Sequence, residues 1–135
     1  MKTIFVVKIA PMVLLALALI ASAQVSAEDI SQAQLQQVMQ SNKQVILLDV
    51  RTVEEFTDGH IPNAVNIPHK ELESRLAELS GAKNTQIVLY CRSGRRVEIA
   101  TKLLKQHGFN QLDHLTGDFN AWSSNNLPIT QSKPK

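Results

Sequence analysis

The chain has 135 residues, which is enough for one compact domain and too few for two. Its hydrophobic fraction of 44% is ordinary for a globular protein, and the sequence contains no internal repeat or low-complexity tract. The single cysteine excludes an intramolecular disulfide.

The N-terminal segment has the layout of a secretory signal peptide. Lys2 and Lys8 supply a positive n-region, an apolar run of about 13 residues follows at 9–21, and small-residue sites end at Ala23 and Ala27. A membrane span needs roughly 20 apolar residues, so we expect cleavage after Ala23 or Ala27, with a retained anchor as the alternative. The sequence thus predicts a periplasmic or otherwise exported protein, with no stable membrane association after signal cleavage.

The predicted mature chain is nearly neutral, although the whole sequence carries a formal net charge of +2. All 12 acidic residues follow the signal segment, and removing Lys2 and Lys8 leaves 12 of the 14 lysines and arginines. Global charge therefore gives no case for binding nucleic acid or an anionic membrane. Small size and near-neutral charge are compatible with a monomer, which we expect.

The first predicted elements of the mature chain are a helix, a strand and a second helix. Ser31 and Gln34 have the spacing of a capping box, which predicts a helix start. The continuous apolar run VILLDV at 45–50 predicts a strand that is covered on both faces. Thr52 and Glu55 repeat the capping-box spacing and predict a short second helix.

The middle of the chain predicts a short strand, an amphipathic helix and a second long strand. AVNIP at 64–68 is typical of a short strand, and Leu72, Leu76 and Leu79 lie on one helical face. TQIVLY at 85–90 is again strongly apolar and predicts a strand in the middle of a sheet.

The last third predicts a helix, a strand and a short helix. Val97 and Leu104 share a face of the helix that follows the 91–96 loop, LDHLT at 112–116 predicts a strand, and Trp122 lies in the short helix. Strands that alternate with helices predict right-handed crossovers and a mainly parallel sheet with helices on both faces, an α/β fold. Functional groups in such sheets gather beyond the carboxyl ends of the strands.

The only cysteine, Cys91, lies between the second long strand and the helix that follows it. Unpaired backbone N–H groups give a helix start roughly half a positive charge, and positive potential favours the reactive thiolate over the thiol. Arg92, Arg95 and Arg96 add positive charge, and Gly94 allows a tight turn that brings backbone close to the sulfur. This pattern predicts a reactive cysteine and requires no metal or organic cofactor.

The alternative is a buried structural cysteine, which is the commonest role of a free one. Three arginines beside an inert cysteine would have no packing purpose, which favours the functional interpretation. The arginines also have a structural alternative, in which one of them pairs with Asp49 or another acid, or Arg95 simply faces water.

Two motifs resemble those of the rhodanese-like sulfurtransferases, specifically of the small, single-domain, exported type. LLDVRTVEEFTDGHIPNAVNIP at 47–68 resembles the first family signature, and VLYCRSGRRVEIATKLLKQHGF at 88–109 resembles the active-site strand, loop and helix. LTGDFNAW at 115–122 resembles the closing segment, and the likeness covers roughly residues 29–129. It implies a three-layer α/β domain whose five-stranded, mainly parallel sheet has helices on both faces.

The resemblance also implies a function. Cys91 would be the catalytic residue that takes a sulfane sulfur from an anionic donor such as thiosulfate, holds it as a persulfide and passes it to cyanide or a thiol. The thiolate cradle would be formed by Arg92, Ser93, Gly94, Arg95 and Arg96. Of these, Arg92 and Arg96 would help to attract the donor, while the role of Arg95 stays open. The alternative is a low-turnover persulfide carrier or a protein-binding module.

The signal segment, the extent of the resemblance and the polar C-terminal tail together give the expected boundaries, and the length of the cysteine loop gives the expected reaction class. We expect a signal peptide at 1–27, a rhodanese domain at 28–130 and a flexible tail at 131–135. Four residues separate Cys91 from Arg96, whereas the related phosphatases and arsenate reductases place five between cysteine and arginine. The shorter ring suits a sulfur atom better than a phosphate, so phosphatase activity is the weaker alternative.

Other polar residues of the motifs are interpreted as supporting or structural. Asp49 and Arg51 are predicted to brace the loop by hydrogen bonds, or else to form a plain surface ion pair. His60 is predicted to be structural, since a thiol that is already ionised needs no base. Asn63 and Asp118 stand where the family usually has glycine, and neither is expected to touch the cysteine loop. No metal site is expected, because the remaining histidines lack partner spacing: His69, His107 and His114.

Overall fold

The computed structural model of the protein describes residues 27–132. Residues 1–26 of the predicted signal peptide and the last three residues of the predicted tail lie outside this range. None of the helices within it is long and apolar enough to cross a membrane.

The described residues form one parallel sheet with helices on both faces. The strands are β1 at Glu28–Ile30, β2 at Val45–Asp49, β3 at Val65–Asn66, β4 at Gln86–Tyr90 and β5 at Leu112–Leu115. The α-helices are α1 at Gln32–Gln40, α2 at Val53–Asp58, α3 at Arg95–Gln106 and α4 at Asp118–Ser124. The strand order is β1-β5-β4-β2-β3, and every neighbouring pair is parallel. The predicted α/β fold with a five-stranded sheet is therefore confirmed.

The central strands β2 and β4 are buried on both faces, as their continuous apolar sequences predicted. Because side chains alternate across a strand, Leu48 and Leu89 join one core cluster while Leu47 and Val88 join another. Helix α3 packs on the first cluster, whereas α1 and α4 pack on the second, where Trp122 is fully buried. These two clusters separate the three layers of the domain.

Both predicted capping boxes are present. Ser31 accepts from the backbone N–H of Gln34 at the start of α1, and Thr52 accepts from that of Glu55 at the start of α2. In each case the side chain three residues on reaches back to the N-cap backbone. The two helix starts could be located from sequence because this interaction is entirely local.

The amphipathic helix predicted over Leu72, Leu76 and Leu79 is not an α-helix. The chain forms turns and then a 3-10 helix at Leu76–Ala82. The hydroxyl of Ser74 donates to a backbone carbonyl three residues earlier, and Gly81 is a poor helix former, so both weaken an α-helix here. Leu72 and Leu79 nevertheless reach the core, which satisfies the same apolar pattern.

Strand β1 is the element that the local sequence pattern misses. It has only three residues, of which Ile30 alone is buried, so no apolar run marks it. It pairs with β5 at the edge of the sheet, where Ile30 lies opposite Leu115. The resemblance implied a fifth strand without locating it.

The parallel sheet brings three segments of the chain together at the carboxyl ends of its strands. Arg51 follows β2, Cys91 follows β4 and Asp118 follows β5, all at carboxyl ends of strands. This is the edge at which α/β sheets carry their functional groups.

Candidate active site

Cys91 follows β4 directly, and only 1% of the residue's surface is exposed. The chain then turns through Gly94, which has a left-handed backbone (φ 113°) and precedes Arg95, the first residue of α3. The amide of Gly94 donates a hydrogen bond to Cys91 Sγ across 3.0 Å. The sulfur therefore lies at the N-terminal end of α3, where unpaired backbone N–H groups favour negative charge.

The turn requires glycine at position 94 for two reasons. A φ of 113° strains any L side chain, and a Cβ atom would lie 3.2 Å from Asp118 Oδ2 and 3.3 Å from His114 Cε1. Gly94 thus allows the loop backbone to approach both the sulfur and the two side chains behind it.

The start of α4 is hydrogen-bonded to the cysteine loop at three points. The Cys91 amide donates to Asp118 Oδ1 at 2.9 Å. In return, the Phe119 amide donates to the Cys91 carbonyl at 3.0 Å and the Asn120 amide donates to the Arg92 carbonyl at 3.2 Å. These bonds satisfy backbone groups of both segments and fix the loop against α4.

The expectation that Asp118 does not touch the cysteine loop is therefore wrong. Asp118 is 2% exposed and adopts a left-handed backbone (φ 54°), which aspartate tolerates better than most residues. The contact joins residues 27 positions apart, so the sequence shows the unusual residue but not its partner. Asn63 is also left-handed (φ 66°), so the turn survives there without glycine, and its side chain is exposed.

His114 lies beside the loop. From the sequence it was assessed only as a metal ligand, and that role was not expected. It is part of β5, and its Nε2 lies 2.9 Å from Asp118 Oδ2, while Nδ1 lies 4.0 Å from Asp29 Oδ1. The hydrogen bond to Asp118 raises the pKa of His114 in spite of its partial burial, and the charges of Asp118 and Asp29 add to that effect. The pair formed by His114 and Asp118 is thus a site feature that sequence reasoning missed.

Arg96, one of the arginines predicted to attract a donor, is bound to Glu55 of α2. The guanidinium makes two hydrogen bonds to this carboxylate, at 2.6 and 2.9 Å. They lower the pKa of Glu55 to about 2, and Glu55 raises the pKa of Arg96. Cys91 raises the pKa of Arg96 further, so this guanidinium lies within electrostatic reach of the thiol.

The other residues of the predicted cradle differ in position. Arg92 is exposed and lines a cavity of about 570 Å³ that is also lined by Glu55 and Phe119. Ser93 and Arg95 are exposed on the loop. Arg92 therefore lies on an exposed surface beside this cavity, whereas Arg96 is partly buried between Glu55 and the thiol with which it interacts.

Asp49 and Arg51 form a buried ion pair, so the surface-pair alternative is wrong. Their exposed fractions are 0% and 3%, and Arg51 Nη2 lies 2.6 Å from Asp49 Oδ2. Arg51 also donates to the Gly59 carbonyl at 2.7 Å, and its guanidinium lies 4.0 Å from the centroid of the Phe119 ring. The pair therefore joins β2 to the end of α2 and packs under α4.

His60 has the local contacts of a structural residue. It is buried, its Nδ1 lies 2.7 Å from the Phe56 carbonyl oxygen, and its ring stacks on that of Phe56 at a centroid distance of 3.6 Å. Within residues 27–132, no three acidic, histidine or cysteine side chains form a group that would hold a metal ion.

Comparison with known proteins identifies the family of this fold and site. The family profile described as "Rhodanese-like domain" matches residues 31–125. The chain therefore belongs to the rhodanese-like family.

Individual relatives cover different shares of their own length. The chain is 36% identical over 98 residues to the putative sulfur carrier protein YrkF of Bacillus subtilis, which covers 73% of this chain and 52% of that protein. It is 35% identical over 101 residues to a sulfurtransferase of Allochromatium vinosum, which covers 75% and 92%. The chain thus spans about half of the first relative and nearly all of the second. Sulfur transfer is the general function that these relatives support.

Solved structures agree with the fold. A rhodanese-related protein from Thermoplasma volcanium superposes with a TM-score of 0.66 at 26% identity, covering 76% of this chain and 97% of the other. A thiosulfate sulfurtransferase from Pseudomonas aeruginosa gives a TM-score of 0.70 at 22% identity, covering 81% and 21%, and supports the fold alone.

Proposed function

We propose that this protein is a sulfurtransferase that carries sulfur on Cys91 as a persulfide. The observation that carries the proposal is the position of Cys91 Sγ, which accepts from the Gly94 amide at the start of α3 with Arg96 within electrostatic reach. Positive potential from these groups favours a thiolate, which is the nucleophilic form of cysteine.

The proposed reaction has two displacement steps. The Cys91 thiolate attacks the outer sulfur of thiosulfate, the bond between the two sulfur atoms breaks, and sulfite leaves with the electron pair. Cyanide or a thiolate then attacks the outer sulfur of the persulfide, and the Cys91 thiolate is the leaving group. Both steps begin and end with an anion at the same place, which the backbone N–H groups at the start of α3 stabilise throughout.

Arg92 and Arg96 have different parts in this proposal. Arg92 is exposed beside the cavity of about 570 Å³ and attracts an anionic donor from solvent. Arg96 is bound to Glu55 in the free protein, so the donor competes with this carboxylate for the guanidinium. Asp49 holds Arg51 in place, and Arg51 supports the site through its bond to the Gly59 carbonyl and its packing against Phe119.

The physiological setting belongs to the same proposal. We place the mature protein in the periplasm or another exported location, as a monomer with its domain at 28–130. The support is the sequence of the first 27 residues and the near-neutral charge of the rest.

A second candidate function is a persulfide carrier with little turnover on small donors. Two observations favour it: Cys91 is 1% exposed, and the Arg96 guanidinium is occupied by Glu55. One relative is named as a putative sulfur carrier, which is consistent with this alternative.

Steady-state formation of thiocyanate from thiosulfate and cyanide separates these functions. The proposal predicts turnover by the wild-type protein that is lost in Cys91→Ser. Sulfur loading on Cys91 without repeated turnover would favour the carrier. Full activity in Cys91→Ser would contradict both.

A further inference from the structure

A second pair of ionisable side chains lies behind the cysteine loop, and the proposed reaction does not use it. Asp118 Oδ1 accepts from the Cys91 amide at 2.9 Å, and Asp118 Oδ2 lies 2.9 Å from His114 Nε2. Both side chains also approach Gly94, where a Cβ atom would lie 3.2 and 3.3 Å from them. The pair therefore contacts the loop at two residues: Cys91, which bears the sulfur, and Gly94, whose amide donates a hydrogen bond to it.

The pair has its own access to solvent. His114 and Gly94 line a cavity of about 380 Å³ together with Asp29, Glu98 and Thr101. This cavity shares no lining residue with the larger cavity that Arg92 lines. His114 therefore reaches solvent through a cavity that is separate from the one lined by Arg92.

We propose that Asp118 and His114 form a positioning pair for Cys91, in which Asp118 fixes the loop backbone and His114 controls the negative charge next to the sulfur. This inference rests on the proposed role of Cys91 as the nucleophile. Neither side chain touches a reacting atom. Asp118 acts through the Cys91 amide and the Gly94 turn, and His114 acts through Asp118.

Charge balance explains why the aspartate needs a partner. A carboxylate bonded to the Cys91 amide is a negative charge close to a sulfur that must itself be an anion, which disfavours the thiolate and the persulfide. Protonated His114 offsets part of that charge, and it depends on Asp118 to stay protonated. The hydrogen bond to Asp118 raises the pKa of His114, so the offsetting charge persists to a higher pH than an isolated imidazole would allow.

Other ionisable groups around the pair and the thiol belong to three elements and to the segment that follows β3. Asp29 of β1 lies 4.0 Å from His114 Nδ1, and Glu98 of α3 lines the same cavity. On the other side of the loop, Arg96 of α3 faces Cys91 and is bound to Glu55 of α2. His69, which follows β3, has its pKa lowered by burial and then by Arg96, in the opposite direction to that of His114.

The test measures the pH dependence of Cys91 alkylation by iodoacetamide, an uncharged reagent, in the full chain. Asp118→Asn keeps an acceptor for the Cys91 amide and a residue type that tolerates a left-handed backbone, but removes the charge. We expect the midpoint of its alkylation profile to fall. His114→Gln leaves the Asp118 charge uncompensated, and we expect the midpoint to rise by on the order of one pH unit, which lowers the rate below the midpoint about tenfold.

The double variant Asp118→Asn/His114→Gln decides whether His114 acts through Asp118. If it does, His114→Gln has little effect in the Asp118→Asn background, and the double variant keeps the profile of Asp118→Asn. Asp113→Asn is the matched control, since this neighbouring carboxylate of β5 bonds to Gln86 instead of the loop. Its profile is expected to coincide with that of the wild type.

Two results would overturn the inference: equal midpoints in the wild type and His114→Gln, or shifts of the same sign for His114→Gln and Asp118→Asn. His114 is on the surface side of the pair, so its variant tests the inference even if Asp118→Asn fails to fold. Loading with thiosulfate, followed by mass, is measured on the same samples. Absence of loading in the wild type contradicts the proposed function, whereas the alkylation profiles test the pair independently.

Discussion

At the scale of single residues, the charge of the site depends on which anion Arg96 binds. Its guanidinium lies 2.6 Å from the Glu55 carboxylate and also interacts electrostatically with the Cys91 thiol. Glu55 also accepts from the Thr52 amide at the start of α2, so the carboxylate is held in place by two elements. An anionic donor therefore has to take over a guanidinium that already has a partner.

Replacing Glu55 by Gln should release Arg96 for the donor. We expect the KM for thiosulfate to fall several-fold, because the competing carboxylate is gone while glutamine still caps α2. Steady-state kinetics over a thiosulfate series measure this change. Glu54→Gln is the matched control, since Glu54 is an exposed acid of the same helix turn and the partner of Arg96 is Glu55. A similar KM in both variants would contradict the idea.

The same ion pair makes stability depend on pH. Glu55 has a pKa of about 2 in the folded protein, compared with an ordinary value of 4.5. A carboxylate whose pKa is lower in the folded state stabilises the protein fully at any pH above its unfolded-state pKa. This contribution is lost as the pH falls from about 4.5 towards 2. Urea unfolding should lose on the order of 1 kcal/mol in this window, after allowance for solvent screening of a partly exposed pair. In Glu55→Gln this loss of unfolding free energy between pH 4.5 and 2 should be absent. If the variant and the wild type lose the same free energy in this window, the role of the ion pair is contradicted.

Sequence reasoning located the reactive residue but not the residues behind it. Cys91, Gly94 and Arg96 could be identified because strand, turn and helix signals are contiguous around them. The contact between Asp118 and Cys91 could not, because it depends on the packing of α4 against the end of β4. His114 was overlooked for the same reason, since its partner becomes visible only when β5 and α4 are placed.

At the scale of elements, the turn between β4 and α3 carries the site. Its backbone geometry depends on Gly94, which has φ 113° and lies against the side chains of Asp118 and His114. The helix starts of α1 and α2 were predictable from their capping boxes, whereas α3 begins after a left-handed glycine with no side-chain cap. The predicted helix over Leu72–Leu79 failed because apolar spacing alone does not distinguish an α-helix from turns and a 3-10 helix.

Gly94→Ala should disrupt this turn. We expect it to lower the free energy of unfolding by about 1–3 kcal/mol and to abolish sulfur loading, because the loop amide moves away from the sulfur. Gly81→Ala is the control: it has no positive φ and nothing within 4 Å of the added Cβ, so the change should be neutral or slightly stabilising. Equal stability and loading in both variants would contradict the role assigned to Gly94.

At the scale of the whole molecule, the parallel sheet determines which residues meet. The segments after β2, β4 and β5 come from distant parts of the chain and converge at one edge. The long apolar strands made this arrangement predictable as a class. The short edge strand β1 was not predictable from apolar content, because two of its three residues are exposed acids.

The buried pair of Asp49 and Arg51 connects the layers at this edge. Arg51→Met should lower the free energy of unfolding by about 3–5 kcal/mol, because it leaves a buried carboxylate without its partner. Arg75→Met is the control, since Arg75 pairs with exposed Glu71 and Glu78 and should change stability by less than about 1 kcal/mol. Urea unfolding of both variants measures the difference, and a similar small loss in each would show that the Asp49 pair is not a link between layers.

The most direct test of the central claim is the intact mass of the protein after incubation with thiosulfate and removal of small molecules. The proposed mechanism predicts the mass of one added sulfur atom on the wild-type protein, located on the peptide that contains Cys91 and discharged by cyanide. Cys91→Ser should gain nothing. An unmodified wild-type protein, or equal sulfur addition to Cys91→Ser, would contradict sulfur transfer through Cys91.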